Sequence, residues 1–256
     1  MDALQPKVQA EDFSFTYSNG KTVALRSINL SVRKNSLLTI MGPTASGKTT
    51  FLRALNRLND RVMGAAHSGT LVLDGKDVYT GGFDVADLRR RVGMVFAVPT
   101  PLPLSIYENV AYGPRKRGVK SKATLDEAVE RALIAAAIFD DVKDRLDSPA
   151  SQLSGGQQQR LSLARVLAVE PEVILLDEPT SGLDPISTLH IEETLRTLQH
   201  QYTIILVTHN PVQAARVQGE IAFFCMGELV ETGAAKDVFT RPKDKRTEDY
   251  IAGKFG

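Results

Sequence analysis

The chain has 256 residues, with 31 basic side chains against 30 acidic ones and a formal charge of +1. That length suits one large domain with an ample apolar core, and the even balance of charge gives no general attraction for nucleic acid. A lone cysteine, Cys225, excludes an internal disulfide and fits a reducing compartment; no apolar run approaches membrane-spanning length, and the Met1-Asp2 start lacks a basic-then-apolar leader, so a cytosolic chain is expected, with any membrane role resting on a partner.

In chain order, the alternating stretches Phe13–Tyr17 and Ile28–Val32 predict strands at an antiparallel edge. Leu37–Met41 predicts a buried strand, and Gly42-Pro43-Thr44-Ala45-Ser46-Gly47-Lys48-Thr49 follows it directly. After that octet, Thr50 to Leu55 have helical spacing, with Phe51, Leu52 and Leu55 on one face. A Gly-x-x-x-x-Gly-Lys-Thr turn between strand and helix is a phosphate loop. Gly42 and Gly47 permit the tight turn, successive N–H groups point at phosphate oxygens, and the helix end adds partial positive charge. Lys48 is placed to reach the terminal phosphates of a nucleoside triphosphate, and the Thr49 hydroxyl to hold Mg²⁺. Tyr17, at the end of its alternating strand, suits either the core or the face of an adenine ring; its terminal position favours adenine.

Val92–Phe96 predicts a further strand, after which Pro99, Pro101, Pro103 and Pro114 break the pattern as far as residue 122. A helix is expected over Ala123–Ala137, followed by an irregular piece to Ser151. Residues 99–165 therefore form an expected helical subdomain inserted into an α/β core made by 1–98 and 166–256. Arg115, Lys116, Arg117, Lys120 and Lys122 make a basic stretch without interleaved aromatic residues, which reads as a solvated loop; no nucleic-acid partner is expected.

Leu153-Ser154-Gly155-Gly156-Gln157 opens another helical run. Ser154 is a good N-cap, and the two glycines leave N–H groups bare at a positive helix end, which makes a second anion site. Since the phosphate loop already has its own triphosphate, the simplest arrangement is a two-fold dimer in which this end closes over the nucleotide of another copy. An ordinary capped helix is the alternative.

Val173–Asp177 predicts a buried strand ending in two acids. Ligands of open α/β sheets gather at the carboxyl ends of strands, which places Asp177 to hold Mg²⁺ and Glu178 to polarise an attacking water. Ser181-Gly182-Leu183-Asp184 then suits a loop at a subunit boundary. The strand Ile204–Thr208 ends at His209, which is placed to sense a γ-phosphate or simply to end a strand. Ile221–Phe224 is the last expected strand, with Cys225 as a core thiol.

With these residues assembled, the chain resembles ATP-binding cassette (ABC) subunits over its whole length. The loop at 42–49, the signature Leu153–Gln157, Asp177-Glu178, the Ser181–Asp184 loop and His209 stand in that family's order. Ala54–Asp60, Ser105–Arg115 and Pro242–Ile251 bring it closer to the ATPase subunits of bacterial phosphate importers. The resemblance implies a P-loop NTPase fold and ATP and Mg²⁺ as cofactors. Thr50, Ser154, Gly155, Gly156, Gln157 and Asp184 join the nucleotide contacts, and Lys48, Glu178 and His209 carry hydrolysis. It further implies a homodimer in the ATP-bound state on the cytoplasmic face of the membrane. The dimer sits beneath permease subunits and is served indirectly by a substrate-binding protein. Tungstate or molybdate import, a non-transport ATPase and an ATP-sensing regulator are the alternatives. One departure stands out: the family's usual glutamine after Phe96 is replaced by Ala97, and a methyl group cannot ligate metal.

Overall fold

Strand pairing in the computed structural model, which describes residues 6–254, divides the molecule into two sheets. The Met1-Asp2 start lies outside the described residues. The first part of the chain runs β1 (Val8–Tyr17), β2 (Thr22–Val32), β3 (Leu37–Met41), α1 (Lys48–Ala54), β4 (Ala66–Leu73), β5 (Lys76–Asp77), α2 (Val85–Arg91) and β6 (Val92–Val95). Four helices follow: α3 (Ile106–Lys116), α4 (Lys122–Ala135), α5 (Phe139–Val142) and α6 (Gly155–Leu167). The chain then returns through β7 (Val173–Asp177), α7 (Pro185–Leu198), β8 (Thr203–Thr208), α8 (Pro211–Val217), β9 (Glu220–Cys225) and β10 (Glu228–Ala234). It closes with α9 (Ala235–Thr240) and α10 (Lys245–Ile251).

The large sheet has the order β10-β9-β3-β8-β7-β6 and is parallel except for β10, which pairs antiparallel with β9. Its central strands are buried on both faces, which is why they read as unbroken apolar runs. Alternate residues serve two cores. Val173, Leu175, Ile205 and Val207 join Leu38, Ile40, Phe51 and Leu52 on one side. Ile174, Leu176, Ile204 and Leu206 face the helical layer on the other.

β1 and β2 do pair antiparallel, as their alternation predicts, but they belong to a separate four-stranded sheet of order β2-β1-β4-β5. The antiparallel edge of the large sheet is supplied instead by β10. Phe13, Phe15, Leu25 and Ile28 of the small sheet share a core with α1, so α1 is held between the two sheets. Full burial of Phe51 and Leu52 stabilises that placement by about 1.5–3 kcal/mol for each side chain.

The proline-punctuated stretch is more regular than its sequence suggests. Ser105 caps α3 by accepting from the Glu108 amide, and buried Asn109 donates to the carbonyls of Leu102, Leu104 and Ser105. Pro114 falls in the last turn of α3, where its missing N–H leaves the Val110 carbonyl without its helical donor, and the helix ends two residues later. α3, α4 and α6 pack on one another, while α6 also shares its apolar cluster with Val95, Ile174 and Leu176 of the large sheet.

Candidate functional site

The register of three neighbouring strands builds the site. Met41 stands opposite Thr208, and Asp177 opposite Val207. The residues that follow these strand ends, Gly42, His209 and Glu178, therefore emerge side by side at the carboxyl end of the large sheet. Glu178 is held there by its amide, which donates to the Val207 carbonyl at 2.9 Å, and it adopts a left-handed backbone with φ of 49°. Such a conformation is uncommon for a residue with a side chain and persists where surrounding structure imposes it.

The phosphate loop wraps the start of α1. Gly47, with φ of 97°, is the N-cap of α1 and supplies no side-chain cap, so the first amides of the helix point into open space. A Cβ on Gly47 would lie 2.4 Å from the Ala24 carbonyl oxygen, and one on Gly42 would lie 2.0 Å from that of Phe224. The backbone thus fills the room that any larger residue needs. Lys48 Nζ donates to the carbonyls of Gly42 at 2.8 Å and Pro43 at 2.7 Å. Burial pulls the Lys48 ammonium below its ordinary pKa, partly offset by Glu178 and Asp177. A cation held by carbonyl dipoles under that penalty is better served by an anion.

A cavity of about 320 Å³ lies against this loop, lined by Tyr17, Thr22, Val23, Ala24, Thr44–Thr50 and Glu178. Gly42, Pro43 and Asp177 stand behind the lining. The Thr49 hydroxyl donates to Asp177 Oδ1 at 2.8 Å, and Arg53, one turn on, brings a guanidinium nitrogen to 3.9 Å from Oδ2. Burial raises the Asp177 carboxyl above the usual range, countered by the Thr49 hydrogen bond. His209 Nδ1 is 3.0 Å from Glu178 Oε2; the carboxylate oxygen accepts, so His209 donates through Nδ1–H. Tyr17 is half-buried at the cavity rim, its hydroxyl within 3.2 Å of Thr50 Oγ1 and 3.3 Å of Asn59 Oδ1. A larger cavity of about 620 Å³, among Tyr107, Glu108, Arg115 and Lys122, holds none of the loop's residues, and size alone assigns it nothing.

These donors suit a magnesium nucleotide. The loop offers unpaired amides and a buried ammonium to phosphates, and the Thr49–Asp177 pair offers two hard oxygens to the metal.

Ser154, Gly155, Gly156, Gln157 and Asp184 do not line that cavity; they meet elsewhere. Ser154 Oγ accepts from the Gln157 amide at 3.3 Å, and Gln157 Oε1 accepts from the Ser154 amide at 3.1 Å, a complete capping box. Buried Gly156 lies against the Ser187 side chain at the start of α7, which Asp184 caps. Asp184 accepts from the Ser187 hydroxyl at 2.6 Å and amide at 2.9 Å, which holds its carboxyl below the usual range. The signature end and the Ser181–Asp184 loop thus form one exposed ridge.

Two contacts lay outside the sequence reading. Gln159, buried in α6, donates to the Phe96 carbonyl at 2.8 Å and so ties the signature helix to the segment carrying Ala97. Its spacing of four from Leu163 is the signal that marks it as inward-facing. Tyr250, in α10, reaches both Gly42 and His209 through its hydroxyl; nothing in its polar surroundings in the sequence announces that.

A mostly parallel sheet carrying a Gly-x-x-x-x-Gly-Lys-Thr loop between β3 and α1 defines a P-loop nucleoside triphosphatase. The chain belongs to the ABC transporter family, whose model matches residues 25–181. The phosphate import ATP-binding protein PstB of Mycoplasma capricolum subsp. capricolum is 48% identical over 254 residues, covering 99% of this chain and 94% of that relative. Among solved structures, cbiO1 from Clostridium perfringens, part of the ABC transporter complex cbiONQ, superposes with a TM-score of 0.81. It is 27% identical, with 98% of this chain and 97% of that one covered. A bacterial Atm1-family ABC exporter with ATP bound gives a TM-score of 0.80 at 27% identity, over all of this chain and 43% of the exporter. Among the described residues no helix is long and apolar enough to cross a membrane.

Proposed function

We propose that this chain is the ATP-hydrolysing subunit of an importer of inorganic phosphate, and that it works as a pair of copies against membrane permease subunits at the cytoplasmic face. One observation carries the enzymatic part: the loop with Lys48 and Thr49, the acids Asp177 and Glu178, and His209 meet at the carboxyl ends of three adjacent strands, beside a cavity that the loop and Glu178 line. The cargo rests on the likeness to PstB, because the site itself touches nucleotide and not cargo.

In this reading the amides from Thr44 to Thr50 cradle the phosphates, with Gly42 and Pro43 shaping the turn, and Lys48 leaves its carbonyl partners for the β- and γ-phosphates. Tyr17 supports the adenine from the rim. Thr49 and Asp177 hold Mg²⁺, which when bound neutralises phosphate charge and orients the terminal group. Glu178, oriented by His209 Nδ1–H, accepts the proton of the attacking water. His209, half-exposed, is free to follow the terminal phosphate.

The ridge of Ser154, Gly155, Gly156, Gln157 and Asp184 supplies the opposite wall to a second copy's nucleotide. Support comes from its absence from the lining of this chain's own cavity and from an exposed apolar neighbour: Ile186, two positions after Asp184, is 69% exposed. A substrate-binding protein would deliver cargo on the far side of the membrane.

Reconstitution with the co-purifying permease tests the whole reading. ATP-driven uptake of labelled phosphate, outcompeted by unlabelled phosphate and weakly by tungstate or molybdate, is the expected result. Uptake that tungstate or molybdate abolishes first would reassign the cargo, and ATP hydrolysis with no uptake would remove the transport role.

A further inference from the structure

The C-terminal helix reaches into the hydrolytic edge through one side chain. Tyr250, only 8% exposed, places its hydroxyl 2.7 Å from the His209 carbonyl and 3.1 Å from the Gly42 carbonyl. The same Gly42 carbonyl accepts from Lys48 Nζ at 2.8 Å. One hydroxyl proton therefore stands between the first residue of the phosphate loop and the backbone of the histidine that contacts Glu178.

The placement is built, not incidental. The Tyr250 ring packs on Phe223 with centroids 5.1 Å apart, in a cluster that includes Met41, the residue before the loop, and Ala214 in α8, the helix that follows His209. The turn leading into α10 is anchored by Glu231, a buried carboxylate that spends its two oxygens on the amides of Lys243 at 2.9 Å and Asp244 at 3.2 Å. Asp244 then caps α10 by accepting from the Arg246 amide at 2.8 Å. A buried carboxylate paired with two backbone amides holds a segment in one position far better than apolar contact alone.

We propose that Tyr250 is a positioning residue for the hydrolytic site: its hydroxyl fixes the backbone of His209 relative to the phosphate loop and passes the state of that loop to the histidine. The proposal rests on the reading of Glu178 and His209 given above. Lys48 is the nearer donor to the Gly42 carbonyl, at 2.8 Å against 3.1 Å for Tyr250, and the shorter Tyr250 contact goes to His209. A phosphate that draws Lys48 away leaves the Gly42 carbonyl to Tyr250, so the hydroxyl shifts toward the loop and releases His209. Burial pushes the Tyr250 hydroxyl up to about 12, so it remains a donor throughout the physiological range.

The test uses the purified full chain and the Tyr250→Phe variant, which keeps the ring against Phe223 and removes only the hydroxyl. Loss of one such hydrogen bond is expected to lower kcat about three- to tenfold. KM for ATP should stay within about twofold, because no nucleotide contact is removed. The imidazole NMR resonance of His209, assigned by its disappearance in His209→Gln, should move in Tyr250→Phe without added nucleotide. It should also lose the further shift that Mg-ATP causes in the wild type. Val238→Ala loosens the same apolar cluster but keeps both the hydroxyl and the Phe223 ring; it should lower the melting midpoint while leaving kcat and the resonance in place. An unmoved His209 resonance in Tyr250→Phe would overturn the proposal, as would equal losses of kcat in both variants. If the wild type hydrolyses no ATP, the functional reading fails on its own, and the nucleotide-free resonance still decides for or against Tyr250.

Discussion

The starts of α1 and α6 both carry glycines, and they are finished in opposite ways. The start of α1 has Gly47 as its N-cap, no side chain closing it, and a buried lysine turned back onto the carbonyls of Gly42 and Pro43. The start of α6 closes itself: Ser154 and Gln157 satisfy each other's amides, and Gly156 is packed against Ser187. At α1 the first amides have no cap and face a cavity, an arrangement suited to an anion. At α6 the helix end holds its shape without a ligand and presents an exposed serine on a ridge beside Asp184 and Ile186. A self-sufficient end is what a surface needs if it must be ready before a partner arrives.

That contrast can be broken in order of size. Glu178→Gln leaves both helix ends intact and should lower single-turnover hydrolysis by about 10²–10⁴ while ATP still binds; rapid-quench measurement with unchanged turnover would remove Glu178 from the proton transfer. Gly47→Ala forces a Cβ onto the Ala24 carbonyl at a positive φ, and strain of about 1–3 kcal/mol should weaken ATP binding by about 5- to 150-fold in calorimetry. Ser154→Ala removes only the α6 cap. It should destabilise the fold by about 1 kcal/mol, leave nucleotide affinity of the single chain unchanged, and weaken ATP-dependent pairing in sedimentation. A loss of single-chain affinity there would place Ser154 at its own nucleotide and dissolve the contrast. Ala97→Gln restores a polar group on the segment that Gln159 ties to α6. Turnover with the permease should rise several-fold, an estimate scaled from the low end of one acid–base contact; no change would mean that water already serves there.

The residues that were legible in the sequence are those whose chemistry and burial agree. β3 and β7 run apolar because both faces are covered, and their boundaries read directly from the sequence. The phosphate loop and the acids after β7 read equally well, because glycine, lysine and paired carboxylates have few other uses at strand ends. The Thr49–Asp177 contact joins residues 128 positions apart that are both readable as metal ligands. β10 was missed, since Glu228–Ala234 is a half-exposed edge with glycine and two glutamates. α3 was obscured by Pro114 within it and the prolines before it, although Ser105 and Glu108 spell its cap. The separation of β1 and β2 into their own sheet depends on pairing with β4, a non-local fact that alternation cannot express. Arg53, Gln159 and Tyr250 were hidden for the same reason: each acts across the chain, on Asp177, Phe96 and His209 respectively.

The decisive measurement is a thiol cross-link between copies, made in a Cys225→Ser, Glu178→Gln background. One population carries Ser154→Cys and the other Ala45→Cys, an exposed position on the phosphate loop. A short bismaleimide should join them into a covalent dimer when ATP and magnesium are present and leave them separate without nucleotide. Equal cross-linking with and without ATP, or none under either condition, would contradict a nucleotide held between the open end of one copy and the finished end of another.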